Sequence, residues 1–148
     1  GKAKVGEVAN ITRSGYPFLH EKICLKGTAK CSVNGRTYLK ILHKYDAVTV
    51  FVNGRKAGDI TFTEQLEISD LVREGENELF LFFSPSSQNF FGPFHFKEYD
   101  TTAVTPYCFG YQNNYCGDDP NWTDTYYVKN QGVDAIILLQ ELDVKKNI

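Results

Sequence analysis

Between Tyr107 and Tyr127 the chain reads "YCFGYQNNYCGDDPNWTDTYY", a run that mixes large aromatic rings with carboxamides and carboxylates. Those two kinds of group suit one kind of chemistry. An aromatic ring covers the apolar C–H face of a pyranose, while Asn, Asp or Gln satisfy the directional hydroxyls around it. Here Tyr107, Tyr111, Tyr115 and Trp122 supply the rings, and Asn114 and Asp118, with Gln112, Asn113, Asp119 and Asn121 beside them, supply the polar groups. The run has no strand-like apolar pattern and reads as a long loop. Long loops in compact domains are functional or disordered, and so many aromatics argue against disorder. Two readings stay open for each ring: packing over the end of the fold, or contact with a sugar. For the loop as a whole, binding is preferred.

The same loop offers hard oxygen ligands at Asp118 and Asp119, with Asn121 and Asp124 following. They can hold a structural calcium or simply be solvated, and their spacing is not that of an EF-hand loop. Cys108 and Cys116 bracket "FGYQNNY" and can close it with a disulfide; buried free thiols are the alternative, and a Cys24–Cys31 pair is less favoured. No C-x-x-C pair occurs, so a structural zinc site is not indicated. His20, His43 and His95 are too scattered to assert a metal site, and His43, at the end of a strand-like run, reads as a surface or edge residue.

Upstream, "NFFGPFHF" (89–96) crowds phenylalanines and a histidine around a Gly-Pro step. That step breaks regular structure, so the stretch reads as a corner first and a site wall second. Phe90, Phe91 and Phe94 are expected to divide between sealing the core and shaping the wall beside the aromatic loop. Asn89 and His95 are the polar groups placed to reach a ligand, with a hydrogen-bonded core histidine as the other reading of His95. Catalysis finds little support. There is no G-x-S-x-G elbow, no phosphate-cradling loop and no cysteine in a nucleophile context, and the expectation is a non-catalytic domain.

The elements that must position these residues read as an all-β domain. Short apolar, β-branched and aromatic runs ("KICLK", "TYLKILH", "AVTVFV", "LEIS", "NELFLFF", "TYYV", "DAIILLQ") are separated by Gly, Asn and Asp turns. "AVTVFV" puts Val48, Val50 and Val52 on one face, and "NELFLFF" is apolar on both, as suits a central strand covered on either side. Asn53-Gly54 is expected to make a type I′ hairpin turn, and Asn34-Gly35 carries the same signature. "SDLVREGEN" reads as one helical turn stopped at Gly75. The whole predicts an antiparallel two-sheet β-sandwich with only short helical turns.

Five stretches carry a family resemblance. "YLKILHKYDAVTVFVNGRKAGDITF" followed by "LEISDLVREGENELFLFF" resembles the galactose-binding-like jelly-roll domain of family-two-type glycoside hydrolases: a strand, a V-x-V-N-G hairpin, a Gly, an apolar-plus-Asp segment, and "GEN" leading into a central strand. "SGYPFLHEKICL" is similar to the entry of such domains, and "NWTDTYYVKNQGVDAIIL" to their closing strands. "NFFGPFHF" is similar to the Leu-Gly-Pro-His segment of C-terminal accessory domains in large bacterial glycosidases, with Phe94 and Phe96 flanking a single His95. The resemblance covers most of the chain from about Ser14 onward. It implies a jelly-roll sandwich that binds an oligo- or polysaccharide, or packs beside a parent catalytic domain in cis, within a secreted bacterial protein at or outside the cell surface.

Composition sets the outer limits. A length of 148 residues is that of one domain with a real core. With 16 basic and 18 acidic residues there is no electrostatic footprint for nucleic acid or an anionic membrane. No apolar run approaches the roughly 20 residues that span a bilayer. The chain has no methionine, which suggests a domain excised from a larger parent. Asn10-Ile11-Thr12 and Asn121-Trp122-Thr123 match the glycosylation sequon, a pattern frequent by chance.

Overall fold

The computed structural model describes residues 9–91, 95 and 123–142. Seven strands run in the order β1 (Ile23–Cys31), β2 (Gly35–His43), β3 (Ala47–Val52), β4 (Arg55–Ile60), β5 (Gln65–Glu67), β6 (Gly75–Ser84) and β7 (Val133–Leu142). A 3₁₀ turn at Ser69–Leu71 precedes β6, and a four-residue helix, α1 (Gln88–Phe91), follows it. The strands form a four-stranded sheet ordered β1-β6-β3-β4 and a three-stranded sheet ordered β5-β2-β7, antiparallel throughout. Among the described residues no helix is long and apolar enough to cross a membrane.

The period-2 alternation of the strands builds the core directly. Val48, Val50 and Val52 turn inward from β3 and meet Phe83, Leu81 and Leu79 of β6 in register. All six are buried, together with Leu39 and Ile41 from the second sheet, Ile60, Ile68 and Val133. Side chains from both sheets thus fill one core, which makes the fold a β-sandwich. Each such residue contributes about 1.5–3 kcal/mol by burial, so the two facing rows dominate the packing. On the outer face of β6, Phe82 meets Phe51 edge to face at 5.6 Å, and Lys26 lies 5.0 Å over the Phe80 ring. Among the described residues, cross-strand neighbours half-cover the apolar outer residues of β6.

Asn53 and Gly54 both take positive φ, 50° and 79°, as a type I′ turn requires. Asn53 does more than turn the chain. Its Nδ2 donates to the Leu71 carbonyl and to Asn77 Oδ1, and its Oδ1 accepts from the Glu78 amide. Asn77, fully buried, also accepts from the Arg73 amide and donates to the carbonyls of Arg73 and Gly75. These two carboxamides tie the β3–β4 hairpin to the entry of β6, which is why the "VNG" and "GEN" segments occur together in one chain.

Two local expectations, on Asn34-Gly35 and on "TYYV", are corrected, and the less favoured Cys24–Cys31 pair is not formed. Asn34-Gly35 is not a hairpin turn: β1 and β2 lie in different sheets, and only Gly35 of the pair has positive φ, so the step carries the chain across the sandwich. "TYYV" (125–128) forms no strand; its residues have β propensity but no ladder partner. Cys24 and Cys31 are free thiols. They sit at opposite ends of one extended strand, seven residues or about 23 Å apart, far beyond disulfide reach.

Candidate functional site

Aromatic side chains gather where the N-terminal segment, α1 and the approach to β7 meet. The segment from Ala9 to Lys22 is held by its backbone. Ile11 donates to the Gln131 carbonyl at 2.9 Å, the Thr12 hydroxyl donates to the Lys129 carbonyl, and the Gln131 amide donates back to Thr12 Oγ1. Asn10 caps the turn by accepting from the Arg13 amide, and Gly15, at φ 100°, redirects the chain. Close approach is built in, because a Cβ at Gly132 would meet the Ala9 carbonyl oxygen at 2.0 Å. Anchored so, the segment presents Tyr16, Phe18 and His20 outward at alternate positions.

α1 is fixed by Asn89. Its Nδ2 donates to the Lys129 carbonyl and its Oδ1 accepts from the Lys129 amide, both at 2.8 Å. Only 1% of Asn89 is exposed, so both ends of the carboxamide serve the backbone forty residues away. The structure therefore gives Asn89 a positioning task rather than a place on a binding surface. Phe90 and Phe91 stand 48% and 55% exposed, so neither seals the core.

His95 and Thr123 bracket the segment 96–122 and are hydrogen-bonded to each other twice. The Thr123 amide donates to the His95 carbonyl at 3.0 Å, and His95 Nδ1 lies 2.9 Å from the Thr123 carbonyl. A carbonyl partner requires the proton on Nδ1, leaving Nε2 as the acceptor of the neutral ring. The His95 ring meets Tyr126 at 4.3 Å, and Tyr126 meets Phe18 edge to face at 5.8 Å. A second row runs from His20 to Phe90 at 4.2 Å and on to Phe91 at 4.8 Å. The N-terminal segment, carrying Phe18 and His20, and the Asn89–Lys129 clamp join the two rows. Of the seven exposed aromatics among the described residues, only Phe62 lies elsewhere; Tyr16, Phe18, Phe90, Phe91, Tyr126 and Tyr127 all belong to these segments.

Trp122, Tyr107, Tyr111, Tyr115, Asn114, Asp118 and Asp119 lie outside the described residues, as do Cys108, Cys116 and Phe94. Among those described, no three His, Cys, Asp or Glu side chains gather as metal ligands. His43 is half-buried rather than superficial: Nδ1 accepts from the Tyr45 amide, and the ring lies against Tyr45 and Phe83. Desolvation lowers its pKa, against the opposing pull of Glu64. Sequence reasoning missed Tyr16, Phe18 and His20. Their alternation with Pro17 and Leu19 after a Gly at 15 was the available signal.

Fold and site together define a two-sheet antiparallel β-sandwich with an aromatic rim at one end. No protein-family model matches the sequence, and no curated protein matches it. Among solved structures, the chain is similar to a rhamnosidase from Novosphingobium sp. PP1Y, with a TM-score of 0.61 and 16% identity, covering 90% of this chain and 12% of that one. It also matches an FMN-binding beta-glucuronidase from Facaelibacterium prausnitzii L2-6, with a TM-score of 0.43 and 28% identity over 57% of this chain and 13% of that one. The chain thus spans about an eighth of the length of each, and the first likeness is one of fold.

Proposed function

We propose that this chain is a non-catalytic carbohydrate-binding module, of the galactose-binding-like jelly-roll type, within a larger extracellular glycoside hydrolase. The observation that carries the reading is the aromatic rim. Six rings stand about half-exposed on or beside segments tied together by backbone hydrogen bonds, and the sequence richest in aromatics and carboxamides lies between His95 and Thr123. Exposed rings with fixed backbones suit sugar stacking, because little conformational entropy is lost on contact. The fold likeness to a stretch of a rhamnosidase supports a setting beside a catalytic domain. Tyr126 and Trp122 are the rings expected to stack on the ligand, and His95, Asn114 and Asp118 the groups that orient it.

A glycan array followed by calorimetry tests the reading. Trp122→Ala and Tyr126→Ala should each weaken binding by about 1–3 kcal/mol while the melting curve keeps its shape. No array hit, or hits whose affinity neither variant changes, sinks it.

One observation favours a second reading, a domain that packs on its catalytic neighbour without binding sugar. β7 is an edge strand among the described residues, and Ile136, Ile137 and Leu139 on it are all exposed. Monomer surfaces seldom leave such a contiguous apolar edge uncovered. Replacing Ile137 and Leu139 with Lys separates the readings: a packing domain loses its neighbour and keeps no glycan affinity to lose, whereas a binding module retains its affinity.

A further inference from the structure

Among the described residues three buried side-chain polar atoms have no hydrogen-bond partner: Tyr45 Oη and both amide atoms of Gln131. They are not scattered. The antiparallel register pairs His43 with Val133, and the Lys44 amide donates to the Gly132 carbonyl at 3.0 Å. Tyr45 and Gln131 therefore each lie one residue from the same backbone hydrogen bond. Gln131 is 1% and Tyr45 7% exposed. The Gln131 backbone is engaged by the N-terminal anchor, its amide with Thr12 and its carbonyl with Ile11.

Leaving a buried donor or acceptor unmet costs about 1–3 kcal/mol, and three of them on two adjoining segments would be a heavy burden on a domain of this size. Buried water is the usual remedy, and such a water makes about three hydrogen bonds. We propose that Gln131 and Tyr45 form an internal water-binding site at the start of β7. The three atoms match one water molecule in number and kind. Gln131 Nε2 and Tyr45 Oη donate to its oxygen, and Gln131 Oε1 accepts one of its protons. The bound water then completes the polar floor under the Ala9–Thr12 anchor, from which Tyr16, Phe18 and His20 project.

Oxygen-17 relaxation dispersion of water in solutions of this chain counts long-lived internal waters, and a high-resolution crystal structure locates them. The expected result is density within hydrogen-bonding distance of all three atoms, and one fewer long-lived water in both Gln131→Met and Tyr45→Phe. Both variants should also melt at lower temperature than the parent. An unchanged water count in either variant overturns the proposal, whatever the melting temperature does. A Gln131→Met variant that melts higher points instead to a dry amide relieved by its removal. Tyr45→Phe deletes a single oxygen atom, so it gives the count even if Gln131→Met fails to fold.

Discussion

Replacing Asn89 with Ala removes two hydrogen bonds that hold α1 to the chain before β7. Each joins a carboxamide to the Lys129 backbone at 2.8 Å, in a site only 1% exposed. At about 0.5–1.5 kcal/mol for each bond, the loss comes to about 2 kcal/mol. The Lys129 carbonyl keeps the bond that it accepts from the Thr12 hydroxyl, so the amide alone must find a new partner. For a domain of this size that loss corresponds to a fall in Tm of about 4–8 °C. Asn89→Asp is the sharper variant. Its carboxylate still accepts from the Lys129 amide, but it sets lone pairs against the Lys129 carbonyl, so at neutral pH it should cost at least as much as Ala. Protonating that carboxyl restores a donor, and the deficit relative to the parent should shrink on acidification. Urea titrations at neutral and acid pH measure both effects. An Asn89→Ala midpoint equal to the parent's, or an Asn89→Asp domain as stable as the parent at neutral pH, would refute the clamp.

Other consequences can be checked on the same instruments. Gly54→Val should cost about 1–3 kcal/mol from strain alone, because φ is 79° and no atom lies within 4 Å of the added Cβ; an unchanged denaturation midpoint contradicts it. Gly132→Ala should be worse, since its Cβ would overlap the Ala9 carbonyl. Limited proteolysis should then cut within 9–22 faster than in the parent. His43 has a pKa below its ordinary 6.5 through desolvation, so below about 6.5 the unfolded chain takes up protons that the fold resists. Stability should be level above that pH, fall as pH drops below it, and level off under the folded value. His43→Gln should flatten that fall, and a slope unchanged in the variant would locate its source elsewhere.

What the sequence revealed tracks how local each signal is. β3 was legible to the residue because alternation and the Asn53-Gly54 turn are both encoded within eight positions. β1 runs five residues past the "KICLK" reading, since "GTAKC" has no apolar rhythm and owes its extension to pairing with β6. Asn34-Gly35 and Asn53-Gly54 are identical dipeptides with different roles; the sheet that receives the next strand decides between them, and that is non-local. "TYYV" shows β propensity overridden by the want of a partner. Of the described rim, the sequence marked Phe90, Phe91 and His95, but the role of Asn89 depends on Lys129, forty residues on, and that of Thr12 on Gln131, more than a hundred residues away.

The placement of β7 beside β2 also sets a schedule for synthesis. β2 ends at His43 and its long partner begins at Val133, so about 90 residues must emerge before the ladder can form, roughly 5–20 s at typical translation rates. Until then the three-residue β5 is the only strand of the described fold that can flank β2. Leu39 and Ile41, destined for the core, meanwhile face solvent along an open backbone edge of the kind that recruits foreign strands. The four-stranded sheet, complete once Ser84 is out, can form first and shelter one side of that edge. Final closure waits on the last described strand, and the emerging chain is at its most vulnerable just before β7 appears.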